Sequence, residues 1–106
     1  MNILITAASS ANAHRLKSKL TNDHVILGDY RDLPDILLKS GKLIKLPNPN
    51  SVSYMHEMLT LCLDMQINTV YALSNEEQTP LTSAKQLFAE YGIKTITDFL
   101  QWTMNY

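Results

Sequence analysis

The chain has little of what would mark it for export, metal binding or nucleic-acid binding. It contains one cysteine, Cys62, in 106 residues, which excludes intrachain disulfides and cysteine-based metal sites. Its start lacks the basic segment of an export signal, and its apolar runs fall well short of the roughly 18 residues of a spanning helix. Its 9 basic and 10 acidic residues nearly balance. We therefore expect a cytoplasmic protein with no nucleic-acid or membrane partner, folded as a single domain over residues 1–106.

Glycine is also scarce, with three in the chain, and none follows the first apolar run. The opening stretch NILITAASSANAHRL predicts a buried strand, a loop and a helix, with Ser9 or Ser10 as the N-cap. In nucleotide-binding turns of this kind, glycine lets the backbone approach a phosphate. Its absence argues against close pyrophosphate binding, although the free N–H groups of a helix N-terminus could still hold an anion.

Short apolar runs alternate with helical patterns along the whole chain. The predicted strands cover residues 3–5, 24–30, 42–46, 69–73 and 93–96. This alternation predicts an α/β, Rossmann-like three-layer fold with a mostly parallel sheet of about five strands in the order 3-2-1-4-5.

Two longer helices are predicted in the second half of the chain. The first should begin near Ser51 and bury an apolar stripe formed by Val52, Met55, Leu59, Cys62 and Leu63. The second should begin with Thr79 as N-cap and Pro80 in the first turn, and end at Gly92. Its predicted buried stripe comprises Leu81, Ala84, Leu87, Phe88 and Tyr91.

The predicted strand order also predicts the position of a ligand site. In an open α/β sheet, ligands bind at the carboxyl ends of the strands where the order reverses. The candidate crevice residues are Ala8, Ser9, Ser10, Asn12, Asp29, Ser74 and Asn75. Asp29 follows Ala8 by 21 residues. In dinucleotide-binding domains, an acidic side chain that meets the ribose diol lies about 20 residues after the first loop. The alternative is that Asp29 only caps the following turn.

Other candidate chemistry is weaker. Glu76 and Glu77 flank the predicted crevice and could serve as acid or base, but a solvated loop pair is the simpler interpretation. HEMLT begins like a two-histidine zinc motif, yet Thr60 stands where the second histidine is needed. The sequence therefore predicts no metal site and no catalytic residue, and it requires no cofactor.

Two families resemble parts of the sequence. ITAASSANAHRL is similar to the opening of short-chain dehydrogenases, but Ala7 and Asn12 stand where that family has glycines. The family's Tyr-x-x-x-Lys is also missing, since Met58 follows Tyr54 at that spacing.

Residues 1 to about 96 look more like the domain that precedes the ATP-grasp fold in ligases of the carbamoyl-phosphate synthase large-subunit and biotin-carboxylase types. The matching stretches are NILIT, VILGDY, LPNPNSVSYMHEMLTLCLDMQINTVYAL and SNEEQTPLTSAKQLFAEYGI. In that family the domain helps to hold the acceptor substrate, while ATP, magnesium and the transfer chemistry belong to other domains.

The resemblance implies a non-catalytic binding module, either a detached substrate-binding domain that works with an ATP-grasp partner protein or a sensor of a small molecule or anion. The alternative is a small nucleotide- or NAD(P)-binding enzyme related to short-chain dehydrogenases, with Asp29 on the ribose and Glu76 or Glu77 moving a proton.

An aromatic stripe ends the sequence. Phe99, Trp102 and Tyr106 recur at helical spacing, so a helix there would present them on one side. Exposed aromatics contribute strongly to association, which predicts a homodimer or partner interface. The alternative is that the stripe folds back onto the domain's own core.

Overall fold

The computed structural model describes residues 2–8, 10–20, 23–31, 33, 35–39 and 43–97, without the side chain of Leu37. Its elements follow in the order β1 (Asn2–Ile5), α1 (Ala11–Lys19), β2 (His24–Asp29), α2 (Asp35–Lys39), β3 (Leu43–Lys45), α3 (Tyr54–Asp64), β4 (Thr69–Tyr71), α4 (Asn75–Ser83), α5 (Lys85–Glu90) and β5 (Lys94–Ile96). No helix within these ranges is long and apolar enough to cross a membrane.

The five strands form one parallel sheet in the order β3-β2-β1-β4-β5, as predicted. β1 lies at the centre and pairs Leu4 with Ile26 on one side and with Val70 on the other. The chain moves outward from β1 to β3, then returns across the sheet to β4. The strand order therefore reverses between β1 and β4, as it does in Rossmann-like folds.

The core occupies both faces of the sheet because successive side chains of a strand point to opposite faces. Ile3 and Ile5 pack with Ala13 and Leu16 of α1. Leu4, between them, packs on the other face with the buried residues of α3, α4 and α5. This confirms β1 as a strand buried on both faces, with helical layers above and below it.

The buried face of α3 differs from the prediction. Val52 is fully exposed and precedes the helix, and Met55 and Leu63 are also exposed. The buried residues are Tyr54, Met58, Leu59 and Cys62. The helix has apolar side chains on most of its circumference, so two stripes fit the sequence, and the contacts with the sheet and α4 decide between them.

The start of the next helix was also predicted wrongly. α4 begins at Asn75 with Ser74 as N-cap, so Thr79 lies within the helix and Pro80 is an interior residue. The missed signal is the pattern Ser74-x-x-Glu77, which is typical of an N-terminal capping box. After a break at Ala84, α5 runs to Glu90, and its C-cap Tyr91 is exposed rather than buried. Gly92, at φ 77°, ends the helix as predicted.

Candidate functional site

The candidate crevice, expected at the carboxyl ends of β1 and β4, begins with the loop that follows β1. This loop turns at Ala7, whose φ of 55° is left-handed, a region that glycine adopts more readily than alanine. Two backbone hydrogen bonds hold this loop, one to β2 and one within the loop itself. The N–H of Ala8 donates to the carbonyl of Gly28 at 3.0 Å, and the N–H of Ser10 donates to the carbonyl of Ala7 at 2.9 Å. The loop is thereby fixed against the end of β2.

Two polar side chains between β1 and α1 also have hydrogen-bond partners within the protein. Thr6 Oγ1 accepts from the N–H of Leu73 at 2.9 Å, which joins the ends of β1 and β4. Ser10 is the N-cap of α1, as predicted, and its Oγ accepts from the N–H of Ala13 at 3.2 Å. The N–H groups of Ala11 and half-buried Asn12 follow in the first turn, where a helix offers no internal acceptor. Ser9 lies outside the described residues.

Asp29 ends β2 and is 1% exposed. Its Oδ1 accepts from the backbone N–H of Arg31 at 3.0 Å. This bond is the turn-capping interaction foreseen as the alternative to ribose binding. The guanidinium of Arg31 lies 5.4 Å from the centre of the Tyr30 ring. A buried carboxyl group therefore sits at the crevice with one of its oxygens engaged in the following turn.

The first turn of α4 supplies the opposite wall. Ser74 is buried, and its hydroxyl donates to Glu76 Oε2 at 2.7 Å rather than capping the helix. This hydrogen bond lowers the pKa of the exposed Glu76. Asn75, the first residue of α4, is exposed. Ser74 and Asn75 thus lie at the start of α4, at the carboxyl end of β4, where the fold rule placed them.

Glu77 contradicts the expectation of a solvated loop pair. It lies in α4 and is 0% exposed. Its Oε2 accepts from the hydroxyl of Tyr54, at the start of α3, at 2.8 Å. Its Oε1 is buried without a hydrogen-bond partner. Burial is the main reason that the pKa of Glu77 rises to about 7; the hydrogen bond from Tyr54 opposes this rise, and the negative charges of Asp29 and Glu76 add to it.

Asp29 thus lies close enough to Glu77 for its charge to raise the pKa of the Glu77 carboxyl group. The sequence pointed to Asp29 through its place after β2, but it gave no sign that Glu77 is buried. The capping-box pattern places Glu77 in a first helical turn, yet its side chain bonds to Tyr54 instead of closing that box. Tyr54 was missed as a site residue because its contact with Glu77 is purely tertiary.

Other groups with potential chemistry lie elsewhere. Burial raises the pKa of the Cys62 thiol to about 12, so it is protonated at neutral pH and poorly suited to act as a nucleophile. Within the described part of the chain, no three His, Cys, Asp or Glu residues form a group that could hold a metal ion. A hollow of about 280 Å³ lies between α5 and the start of β5, away from the crevice, and is lined by Lys85, Ala89, Gly92, Ile93, Lys94 and Thr95.

The predicted interface residues Phe99, Trp102 and Tyr106 lie outside the described residues. No protein-family model matches the chain, and no curated protein matches its sequence. The parallel sheet of order 3-2-1-4-5 makes the protein Rossmann-like in architecture.

Proposed function

We propose that this domain is a non-catalytic module that binds a small molecule at the carboxyl-end crevice between β1 and β4. The observation that carries the proposal is that two buried carboxyl groups, Asp29 at the end of β2 and Glu77 in α4, influence each other electrostatically beside the point where the strand order reverses. Glu77 Oε1 has no partner there. Buried polar groups are nearly always satisfied in folded proteins, and exceptions concentrate at functional sites.

The polar groups around the crevice favour an uncharged or amine-bearing ligand over a phosphate. The N–H groups of Ala8 and Ser10, which would have to face a phosphate, donate to carbonyls of the protein itself. Asp29 and Glu76 add negative charge around Glu77, and like charges repel across a short distance in a poorly solvated site.

The likeness to the domain that precedes the ATP-grasp fold supports a role beside a separate ligase subunit. The sheet order and the sequence of elements fit a Rossmann-like domain of that kind. The acidic stretch around Glu77, part of the resembling segment SNEEQTPLTSAKQLFAEYGI, falls at the crevice. In this proposal the module presents an acceptor substrate, and the partner protein supplies ATP and the transfer chemistry.

Ligand screening by thermal shift and NMR tests the proposal. The panel comprises small amines, amino acids, small carboxylates, ATP and NAD, and the matched variants are Asp29→Asn in the crevice and Asp35→Asn on exposed α2. We expect an amine or amino acid to bind, with shift changes at Ala8, Asp29 and Ser74, and binding to weaken in Asp29→Asn alone. Shift changes confined to the hollow beside β5, or no binding by any compound, would contradict the proposal.

The second candidate is a small nucleotide-dependent enzyme, and one observation favours it. Glu77 has a pKa of about 7, which suits a general acid or base working at neutral pH. In that case Asp29 meets the ribose diol and Glu77 moves the proton. ATP or NAD binding that Asp29→Asn abolishes, together with turnover that Glu77→Gln abolishes, would establish this function in place of the first.

The C-terminal aromatic stripe supports a proposal about partners. Phe99, Trp102 and Tyr106 would form a homodimer contact or a docking surface for a ligase subunit, because large aromatic side chains dominate the energetics of interfaces. Light scattering on the intact chain and on a Phe99→Ala, Trp102→Ala variant tests it. We expect a dimer that the variant dissociates without unfolding. A wild-type monomer at tens of micromolar that captures no ligase subunit would contradict both forms of the proposal.

A further inference from the structure

We propose that Glu77 is a proton-operated latch at the crevice: its neutral carboxyl group holds the first turn of α4 against α3, and its ionisation loosens that turn. The proposal concerns the protein's own conformational equilibrium, so it does not depend on the identity of a ligand.

The latch consists of one tertiary hydrogen bond between two helix starts. The Tyr54 hydroxyl donates to Glu77 Oε2 at 2.8 Å across a separation of 23 residues. Tyr54 is 2% exposed and Glu77 is 0% exposed, so water cannot replace this bond while the helices stay packed. Glu77 Oε1 has no partner in this arrangement. A neutral carboxyl group tolerates that position better than a carboxylate, because an uncompensated buried charge is far more costly than an uncompensated dipole.

The Tyr54 hydrogen bond by itself lowers the pKa of Glu77, but the cost of burying a charge outweighs it, and two of the charges that face Glu77 reinforce the preference for the neutral form. Asp29 at the end of β2 and Glu76 on α4 itself oppose ionisation of Glu77, while Arg31, just beyond β2, favours it. Arg31 is exposed, so solvent screens its attraction more strongly than it screens the effect of the buried Asp29. The remaining charged residues on the packed helices are exposed, and none contributes to the shift: His56, Glu57 and Asp64 on α3, and Lys85 and Glu90 on α5.

The first turn of α4 is also weakly tied to the rest of its helix. Pro80 has no N–H, so the carbonyl of Glu76 lacks its normal partner four residues later. At the helix start, the N–H groups of Glu77 and Gln78 both donate to the carbonyl of Ser74. Gln78 Nε2 adds a contact to the carbonyl of Ala72 at 3.3 Å. This turn can therefore move without unwinding the rest of α4, and it would carry Ser74 and Glu76 away from the crevice.

The pH range follows from the two states of the carboxyl group. In the closed state the pKa is about 7, whereas an opened, hydrated Glu77 returns to its ordinary value near 4.5. The closed state therefore binds the proton more tightly. The opening equilibrium should rise roughly tenfold per pH unit between about pH 5 and 7, and level off above pH 7.

NMR on the intact wild-type chain tests the latch in two ways. The first is the titration of the Glu77 carboxyl carbon, which we expect near neutral pH. The second is amide exchange in the first turn of α4, at Gln78 and Thr79, corrected for the intrinsic pH dependence of exchange. We expect the corrected opening to increase at least tenfold from pH 5 to 7.

Two variants separate the latch from general loosening. Glu77→Gln keeps an acceptor for the Tyr54 hydroxyl but cannot ionise, so its corrected exchange should not vary with pH. Glu90→Gln removes an exposed carboxylate on α5 that does not contribute to the Glu77 shift, and it should keep the wild-type rise. The latch is overturned if the Glu77 carbon titrates at its ordinary value, or if Glu77→Gln shows the same pH-dependent opening as the wild type.

Discussion

Ala7 is the residue at which the loop after β1 reverses direction, and it does so in a conformation that L-residues avoid. Its φ of 55° costs an alanine about 1–2 kcal/mol relative to ordinary backbone. The cost is offset by the turn that it creates, in which Ala8 bonds to Gly28 and Ser10 bonds back to Ala7. The N–H groups of Ala8 and Ser10 are thereby directed to acceptors within the protein.

This geometry predicts opposite responses at two adjacent alanines. Ala8→Gly should lower the free energy of unfolding by about 1–2 kcal/mol, because it removes a buried methyl group and adds backbone freedom to the unfolded chain. Ala7→Gly incurs the same losses but relieves the left-handed strain, so its net effect should lie within about 1 kcal/mol of zero. Urea unfolding of the two variants measures the difference. Equal destabilisation would show that Ala7 carries no strain.

Tyr54 and Glu77 show why part of the site escapes sequence reasoning at this scale. The stretch SNEEQT contains no apolar residue, so it indicates a solvated segment. Glu77 is buried because Tyr54, 23 residues earlier, supplies a hydrogen bond from another helix. Asp29 could be predicted because its position depends on the strand that it ends and on a rule for that fold.

At the level of elements, the contact between β2 and β3 requires a glycine in β2. Gly28 pairs with Ile44, and a Cβ atom at Gly28 would lie 2.8 Å from both Cγ and Cδ2 of Leu46 and 3.1 Å from Cγ1 of Ile44. Leu46 is 2% exposed and belongs to the core on the α3 side. The close approach of β3 to β2 therefore depends on the missing side chain at position 28.

We expect Gly28→Ala to destabilise the protein by about 1–3 kcal/mol through overpacking. A double-mutant cycle with Leu46→Ala measures this contact directly. Leu46→Ala alone should cost about 2–5 kcal/mol by leaving a cavity, and the added methyl group at position 28 should then fit without a clash. The double variant should be more stable than the sum of the two losses predicts. Strict additivity would show that the steric contact is not what Gly28 avoids.

The helices were harder to predict than the strands, for a reason that α3 illustrates. A strand buried on both faces needs only a continuous apolar run, so β1, β2 and β4 stand out in the sequence. The α3 sequence YMHEMLTLCLDM places apolar residues on most of the helix. Tyr54 and Met58 are buried and Met55 and Leu63 are exposed because of the side of α3 that faces the sheet and α4. That burial pattern is a property of the assembled layers.

At the scale of the whole molecule, the order of the sheet follows from connectivity. Parallel strands joined by crossovers of one hand allow few arrangements, and a reversal after β3 places β4 beside β1. The strand order was predictable for this reason, and the same reversal is the ground on which the candidate crevice is placed; that a ligand binds there stays a prediction. The ligand chemistry was not predictable, because it depends on the burial of Glu77 and on the internal hydrogen bonds of the loop.

The buried carboxyl group of Glu77 should also set the pH dependence of global stability. Its pKa is about 7 in the folded protein and near 4.5 in a hydrated chain, so the folded state binds the proton more tightly. Below about pH 4.5 the carboxyl group is protonated in both states, so its titration does not lower the free energy of unfolding. As the pH rises from 4.5 towards 7, the free energy of unfolding falls. The loss is at most about 3 kcal/mol at 1.36 kcal/mol per pH unit, and local opening of the first turn of α4 would reduce it.

Glu77→Gln isolates this contribution, because glutamine mimics the neutral carboxyl group at every pH. We expect the variant and the wild type to have similar free energies of unfolding at pH 4.5, and the variant to be more stable by about 1–3 kcal/mol at pH 8. Urea unfolding at the two pH values provides the measurement, and Glu76→Gln serves as the control. Because the pKa of exposed Glu76 is lowered by Ser74, removing its charge should bring no comparable gain at pH 8. A variant difference that is equal at both pH values would mean that folding does not raise the pKa of Glu77.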